Sequence, residues 1–192
     1  EMGYLPEAMR NYLLRLGWAH GDEEVISTSQ AIEWFSLEAV GRSPARLDFA
    51  KLENLNGHYM REAEDARLVD LILPRLETAT GGAVDEVARS RLLAGMSGLK
   101  QRARTLAELA EDSMFYVQRP RFPLASEKAA RLLAGEAGQM VHEAADRLER
   151  LDEWRAGLLE DEVRSIADDR GLGLGKVAQP LRAAITGSHV SP

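Results

Sequence analysis

The sequence predicts an all-α protein. Apolar residues recur at three- and four-residue intervals nearly everywhere. No stretch alternates apolar and polar long enough to read as a strand, and no fixed-period repeat runs through the chain. Pro6 opens the first helix, because a first-turn proline gives up an N–H that has no helical partner and presets φ. Ala8, Met9, Tyr12, Leu13 and Leu16 form its apolar stripe, and Gly17 ends it. Thr28 or Ser29 caps a short second helix, Gln30 to Phe35, and a loop follows at 41–44. Asp48 caps Phe49 to Asn54, with a break at Gly57 before Tyr59 and Met60. Asp65 to Thr78 carries Leu68, Leu71, Ile72 and Leu76 and is interrupted at Pro74. Thr80-Gly81-Gly82 turns the chain, and Asp85 to Ala94 and Gly98 to Ala110 are two further helices. Gln118-Arg119-Pro120-Arg121-Phe122-Pro123 is extended, since each proline disfavours helix in the residue before it. Ser126 starts a helix to about Ala134, and long amphipathic runs follow at Gly138–Leu151 and Asp152–Asp169. After the loop Gly171–Gly175, a last helix, Lys176 to Thr186, contains Pro180.

A length of 192 residues suits one large domain or two small ones, and 45% apolar with 29% charged residues is a globular, soluble composition. The expected division is 1–62 and 63–192, because the aromatic-rich first part gives way near 60–65 to Ala/Leu/Glu/Arg helices. A second break is expected near 113–125. The chain has no cysteine, which excludes a disulfide scaffold, thiol catalysis and cysteine-based metal sites and suits a reducing compartment. There is no apolar run of membrane-spanning length and no basic-then-apolar start. Both ends read as cut, so the expectation is a piece of something longer.

Catalytic constellations are missing from the pattern. His20, His58, His142 and His189 lack the spacing of a zinc motif. Gly171-Leu-Gly-Leu-Gly-Lys176 is too short for a phosphate loop, Val177 follows its lysine, and no strand precedes it. The acid groups Asp22-Glu23-Glu24, Asp161-Glu162 and Asp168-Asp169 read as solvated helix faces, and no Ser, Thr or Lys stands in a nucleophile setting.

Charge is segregated. The net charge is −7, from 24 bases and 31 acids, which argues mildly against nucleic acid. Three windows nevertheless hold no acid: Val87–Ala107, with Arg89, Arg91, Lys100, Arg102 and Arg104; Ser113–Ser126, with Arg119 and Arg121 beside Phe115, Tyr116 and Phe122; and Arg170–Pro192, with Arg170, Lys176 and Arg182. They contain ten of the 24 bases; the rest of the chain sets 14 bases against 31 acids, a net −17. Such segregation builds a basic face on an acidic protein, and bases interleaved with aromatics suit phosphates and unstacked bases.

Four blocks carry a family resemblance. Gly3-Tyr-Leu-Pro-Glu-Ala-Met-Arg-Asn-Tyr-Leu-Leu-Arg-Leu-Gly-Trp18 resembles the segment just after the catalytic signature loop of bacterial glutamyl-tRNA synthetases. Phe49–Arg61, Gln101–Leu106 and Gly175–Gly187 resemble later blocks of that family in the same order. The resemblance implies a helical stem-contact fold over 1–62, touching the inner corner of tRNA, then an all-helical anticodon-binding cage over 63–192. It implies that ATP and magnesium belong to a catalytic domain upstream, with its His-Ile-Gly-His and Lys-Met-Ser-Lys-Ser motifs, and that this stretch holds no cofactor. It implies a cytoplasmic enzyme that joins glutamate to tRNA. The family's anticodon contacts fall on Arg102, Arg182 and a segment matching Ser191-Pro192, after which the family continues with Gly, Leu and a further helix. A guanidinium fork can satisfy the O2/N3 edge of a flipped cytosine, which Lys cannot. Arg89, Arg91, Lys100, Arg104 and Lys176 are then expected on tRNA phosphates. The expected partner is the glutamate tRNA, with the glutamine tRNA left open and neither membrane nor DNA expected. A second function class stays open: a helical protein-interaction module docking through Leu148, Leu151, Trp154 and Leu158.

Overall fold

The computed structural model describes residues 2–42 and 44–190, and all regular structure among them is helical. The helices are α1 (Pro6–Arg15), α2 (Thr28–Trp34), α3 (Phe49–Glu62), α4 (Asp65–Thr80), α5 (Glu86–Leu99), α6 (Leu106–Val117), α7 (Glu127–Leu132), α8 (Glu136–Glu149), α9 (Ala156–Asp169) and α10 (Leu174–Thr186), with a 3-10 turn at Leu37–Ala39. They form two compact units, Glu1–Val117 and Gln118–Pro192.

In the first unit α1 packs on α2 and α3, and α4, α5 and α6 pack on one another. One core serves the unit. Leu5 and Ala8 share it with Met60, Ala63, Leu68, Ile72, Leu76, Leu92, Met96 and Leu109. The junction at 62/63 therefore lies inside a single packed core. Caps set the helix starts: Asp48 accepts from Lys51 N–H (3.2 Å) and Asp85 from Ala88 N–H (2.7 Å). For α2 the cap is Ser27, one residue before the expected Thr28 or Ser29. Its hydroxyl accepts from Gln30 N–H while Gln30 Oε1 accepts from Ser27 N–H, a reciprocal box that neither neighbour can build with Gln30.

Several expected boundaries differ. Helix α3 runs through Gly57, which is buried where the chain at 103–104 passes close by; a Cβ there would lie 3.8 Å from the Ala103 carbonyl oxygen. Helix α4 runs through Pro74, because burial of Leu68, Val69, Ile72 and Leu76 on both sides outweighs one lost hydrogen bond. The helix expected over Gly98–Ala110 is interrupted at residues 100–105 and then reaches Val117. The break belongs to tertiary contacts. Asn56, fully buried on α3, accepts from Leu5 N–H through Oδ1 (2.7 Å) and donates from Nδ2 to the Arg104 carbonyl (2.5 Å). Leu106 N–H, an otherwise orphaned first-turn donor of α6, donates to the Gly3 carbonyl (2.8 Å). Gly3 has φ +83°, and a Cβ there would sit 2.9 Å from Ala107 N, so only glycine allows this approach.

The second unit has a smaller core of Met140, Ala144, Ile166, Ala167 and Val177, with α10 packed on α7, α8 and α9. Ser126 caps α7. Arg147 of α8 adds a polar clasp to α9: its guanidinium pairs with Glu162, with Asp169 (2.8 Å) and with the Ser165 hydroxyl (2.8 Å). Helix α9 begins at Ala156, four residues later than expected.

The double role of Asn56 gives a stability prediction. Asn56→Ala leaves two buried backbone groups unpaired, and chemical denaturation should show a loss of about 2–4 kcal/mol. Asn56→Asp should also destabilise, because it turns an oxygen toward the Arg104 carbonyl.

Candidate nucleic-acid interface

The connector between α5 and α6 presents its arginines because its small residue points inward. Ala103 is 2% exposed. The Arg104 carbonyl is held by Asn56. Thr105 caps α6, accepting from Glu108 N–H (3.1 Å), while the Glu108 carboxylate accepts from Arg104 N–H (2.7 Å). With 103 turned in and the backbone pinned on both sides, Arg102 and Arg104 stand exposed around it. Arg102 faces a defined field: burial, then Glu111 and Glu108, push the Asp112 carboxyl above its ordinary range, and the Arg102 charge opposes that rise. Arg104 makes no ion pair among the described residues.

The other bases of this window divide in two. Arg89 pairs with Asp70 of α4 (2.6 Å). Lys100, with its side chain 14% exposed, donates to the Ala63 carbonyl at the C-terminus of α3 (2.8 Å) and pairs with Asp65 (2.7 Å). Both are engaged inside the fold. Arg91 is exposed, with no ion pair among the described residues. It shares a helix face with Gly95, where a Cβ would overlap the Tyr116 phenol.

In the second unit α10 buries Val177, Pro180 and Ala183. That stripe leaves Lys176 exposed in the first turn and Arg182 half-buried beside the core, neither with an ion pair among the described residues. Gly187 ends α10 in the left-handed conformation, φ +72°. Ser191 and Pro192 lie outside the described residues. The aromatics of the middle window part company. Phe115 and Tyr116 pack against the first unit's core, whereas Phe122 of the second unit is 64% exposed.

Other chemistry is sparse. Among the described residues no three His, Cys, Asp or Glu side chains gather as a metal site, and no helix is long and apolar enough to cross a membrane. Glu162 and Asp169 are tied to Arg147, and Asp22, Glu23, Glu24, Asp161 and Asp168 are exposed. Leu148 and Leu151 are half-buried, while Trp154 and Leu158 are 69% and 42% exposed.

A sequence model described as an anticodon binding domain matches residues 66–192. The chain belongs to this anticodon-binding family. The match takes in Arg89, Arg91, Lys100, Arg102, Arg104, Lys176 and Arg182 and leaves Gly3 and Asn56 outside it. Over its whole length the chain is 56% identical to a glutamate–tRNA ligase 2 of Paramagnetospirillum magneticum, covering 40% of that protein. It is 55% identical to a glutamate–tRNA ligase 1 of Sphingopyxis alaskensis, covering 39% of it. It thus spans about 40% of the length of these curated relatives. Its fold resembles that of a glutamate tRNA ligase from Elizabethkingia meningosepticum, crystallised in complex with its amino acid. The TM-score is 0.82 at 26% identity, over 99% of this chain and 37% of that one.

The pairing pattern separates fold from interface. Lys100→Met should lower stability by about 1–3 kcal/mol, since it removes a charge-assisted bond and leaves a partly buried carbonyl unpaired. Arg104→Ala should leave the melting temperature unchanged within about 2 °C. Equal melting shifts in the two variants would contradict this division.

Proposed function

We propose that this chain is the tRNA-reading part of a glutamate–tRNA ligase and that its partner is the glutamate tRNA. What carries the reading is the family match over residues 66–192 together with the outward, pinned arginines around Ala103. Arg102 and Arg182 are the base readers, each offering a planar donor fork to the edge of an unstacked anticodon base. Arg104, Arg91 and Lys176 are the phosphate contacts, whose electrostatic attraction holds the loop without base preference. Arg89 and Lys100 serve the fold first, through Asp70 and Asp65. Ser191 and Pro192 form the third base contact by resemblance alone. ATP and magnesium act in the catalytic part of the parent enzyme, in the cytoplasm, and this chain holds neither. Whether the glutamine tRNA is also a substrate turns on the few residues around Arg102.

Binding of the 192-residue chain to transcripts of the glutamate tRNA tests this. Arg102→Ala and Arg182→Ala should each weaken binding by about 1–3 kcal/mol, by analogy with bidentate base contacts. A transcript with a changed anticodon should lose the same increment. Equal binding of native and changed anticodons at moderate salt would remove the anticodon reading.

The purified chain should also show no ATP–pyrophosphate exchange, because the family resemblance puts the catalytic motifs upstream of this stretch. Exchange above the buffer blank would contradict the assignment.

A further inference from the structure

The segment 119–123, expected to be extended, is irregular and bends at Phe122 and Pro123, which are joined by a cis peptide bond. Pro120 and Pro123 fix their own φ on either side of Arg121 and Phe122, which restricts the backbone of the segment. It is anchored at one side. Gly187, at the end of α10, lies against Pro120 and Leu124, at 3.1 and 3.7 Å from the point a Cβ would occupy. The side chains not used for anchoring face water. Phe122 is 64% exposed, and Arg119 and Arg121 are exposed with no ion pair among the described residues. The whole stretch from Ser113 to Ser126 contains no acid. Along α10, Arg182 precedes Gly187 by five residues, on the order of 7.5 Å at 1.5 Å per residue. The strap is therefore docked about a turn and a half from that arginine, within the same unit.

An exposed aromatic ring close in sequence to two exposed guanidiniums, on a backbone restricted by prolines, suits single-stranded RNA. Any base can stack on the ring, and the arginines meet the phosphates on either side. We propose that Arg119, Arg121 and Phe122 form a second contact for unpaired nucleotides, with Phe122 as the stacking platform, next to the one made by Arg182. It is sequence-tolerant, in contrast to a guanidinium fork on a base edge. This rests on the tRNA-reading function and adds a site to it. The charge of the strap favours RNA over a protein partner.

The full 192-residue chain and the glutamate tRNA transcript supply the test. Phe122→Ala should weaken binding by roughly 5- to 150-fold, the range for loss of one stacked base. Phe122→Trp should bind like the parent, and Phe122→Leu should behave like the alanine variant, because leucine is apolar without a π-face. Arg119→Gln with Arg121→Gln should lower the slope of log affinity against log salt by about 1.4, two single-strand phosphate contacts. All four proteins should melt with the parent, since the altered side chains are exposed. The Trp and Leu pair keeps the comparison independent of packing. Unchanged affinity in Phe122→Ala, or rescue by leucine as good as by tryptophan, overturns the strap as a stacking site. If Arg182→Ala still weakens binding in that case, the tRNA-reading function stands. If neither Arg102→Ala nor Arg182→Ala has an effect, that function falls and the strap with it.

Discussion

One buried amide holds the first unit to its working shape. The side chain of Asn56 has the geometry of a peptide group, and it is used as one. It meets the segment leading into α1 at Leu5 and the α5–α6 connector at Arg104, on a helix that belongs to neither. Three pieces of chain far apart in sequence are thereby hydrogen-bonded through a side chain that is itself fully buried. The Gly3 carbonyl completes the arrangement by taking the first N–H of α6. The directions of Arg102 and Arg104 follow from this. They point outward because Ala103, between them, is held inward. The region matched by the anticodon-binding family begins at residue 66, yet the scaffold of its arginine-bearing connector includes residues 3 and 56.

Charge within the fold is sorted by partner rather than by sign. Arg147 joins α8 to α9 through Glu162 and Asp169, Arg89 is matched by Asp70, and Lys100 by Asp65 and a helix-end carbonyl. Arg67 holds Glu7 in a two-point bridge between α4 and α1 (2.6 and 3.1 Å), and that hydrogen bonding keeps the Glu7 carboxyl below its ordinary range. Arg91, Arg104, Arg119, Arg121 and Arg182 lie in acid-free stretches of sequence and make no ion pair among the described residues. The overall −7 does not oppose their use on RNA. At physiological salt a charge is felt over about 8 Å, so an anion responds to its nearest neighbours and not to the sum.

The all-α class, most helix starts and the acid-free windows were legible in the sequence, because periodicity, capping residues and charge runs are local properties. The departures come from distant contacts. Gly57 and Pro74 look like breaks, and each is carried inside a helix by burial on either side. The connector at 100–105 reads as helix by composition, and the backbone bonds from Asn56 and Gly3 pull it out of one. The windows single out Arg89, Arg91, Lys100, Arg102 and Arg104 together. Which of them is engaged depends on Asp70 and Asp65, acids that lie outside the window on a different helix. Phe115, Tyr116 and Phe122 look equivalent beside the arginines, and only packing reveals that the first two serve a core.

The span of these backbone bonds orders events in time. The Asn56 contacts close over separations of 51 and 48 residues, and the Gly3 carbonyl reaches a residue still further along the chain. Long closures form after local helices, since the loop entropy is lost before the contact returns anything. During synthesis from the N-terminus, Gly3, Leu5 and Asn56 have all left the ribosome before Arg102 is made. The receptor for the connector thus exists first, and the connector takes its shape by settling onto it. Its arginines acquire their outward geometry as it settles, when Asp65 of α4 and the Ala63 carbonyl at the end of α3 are already in place to claim Lys100.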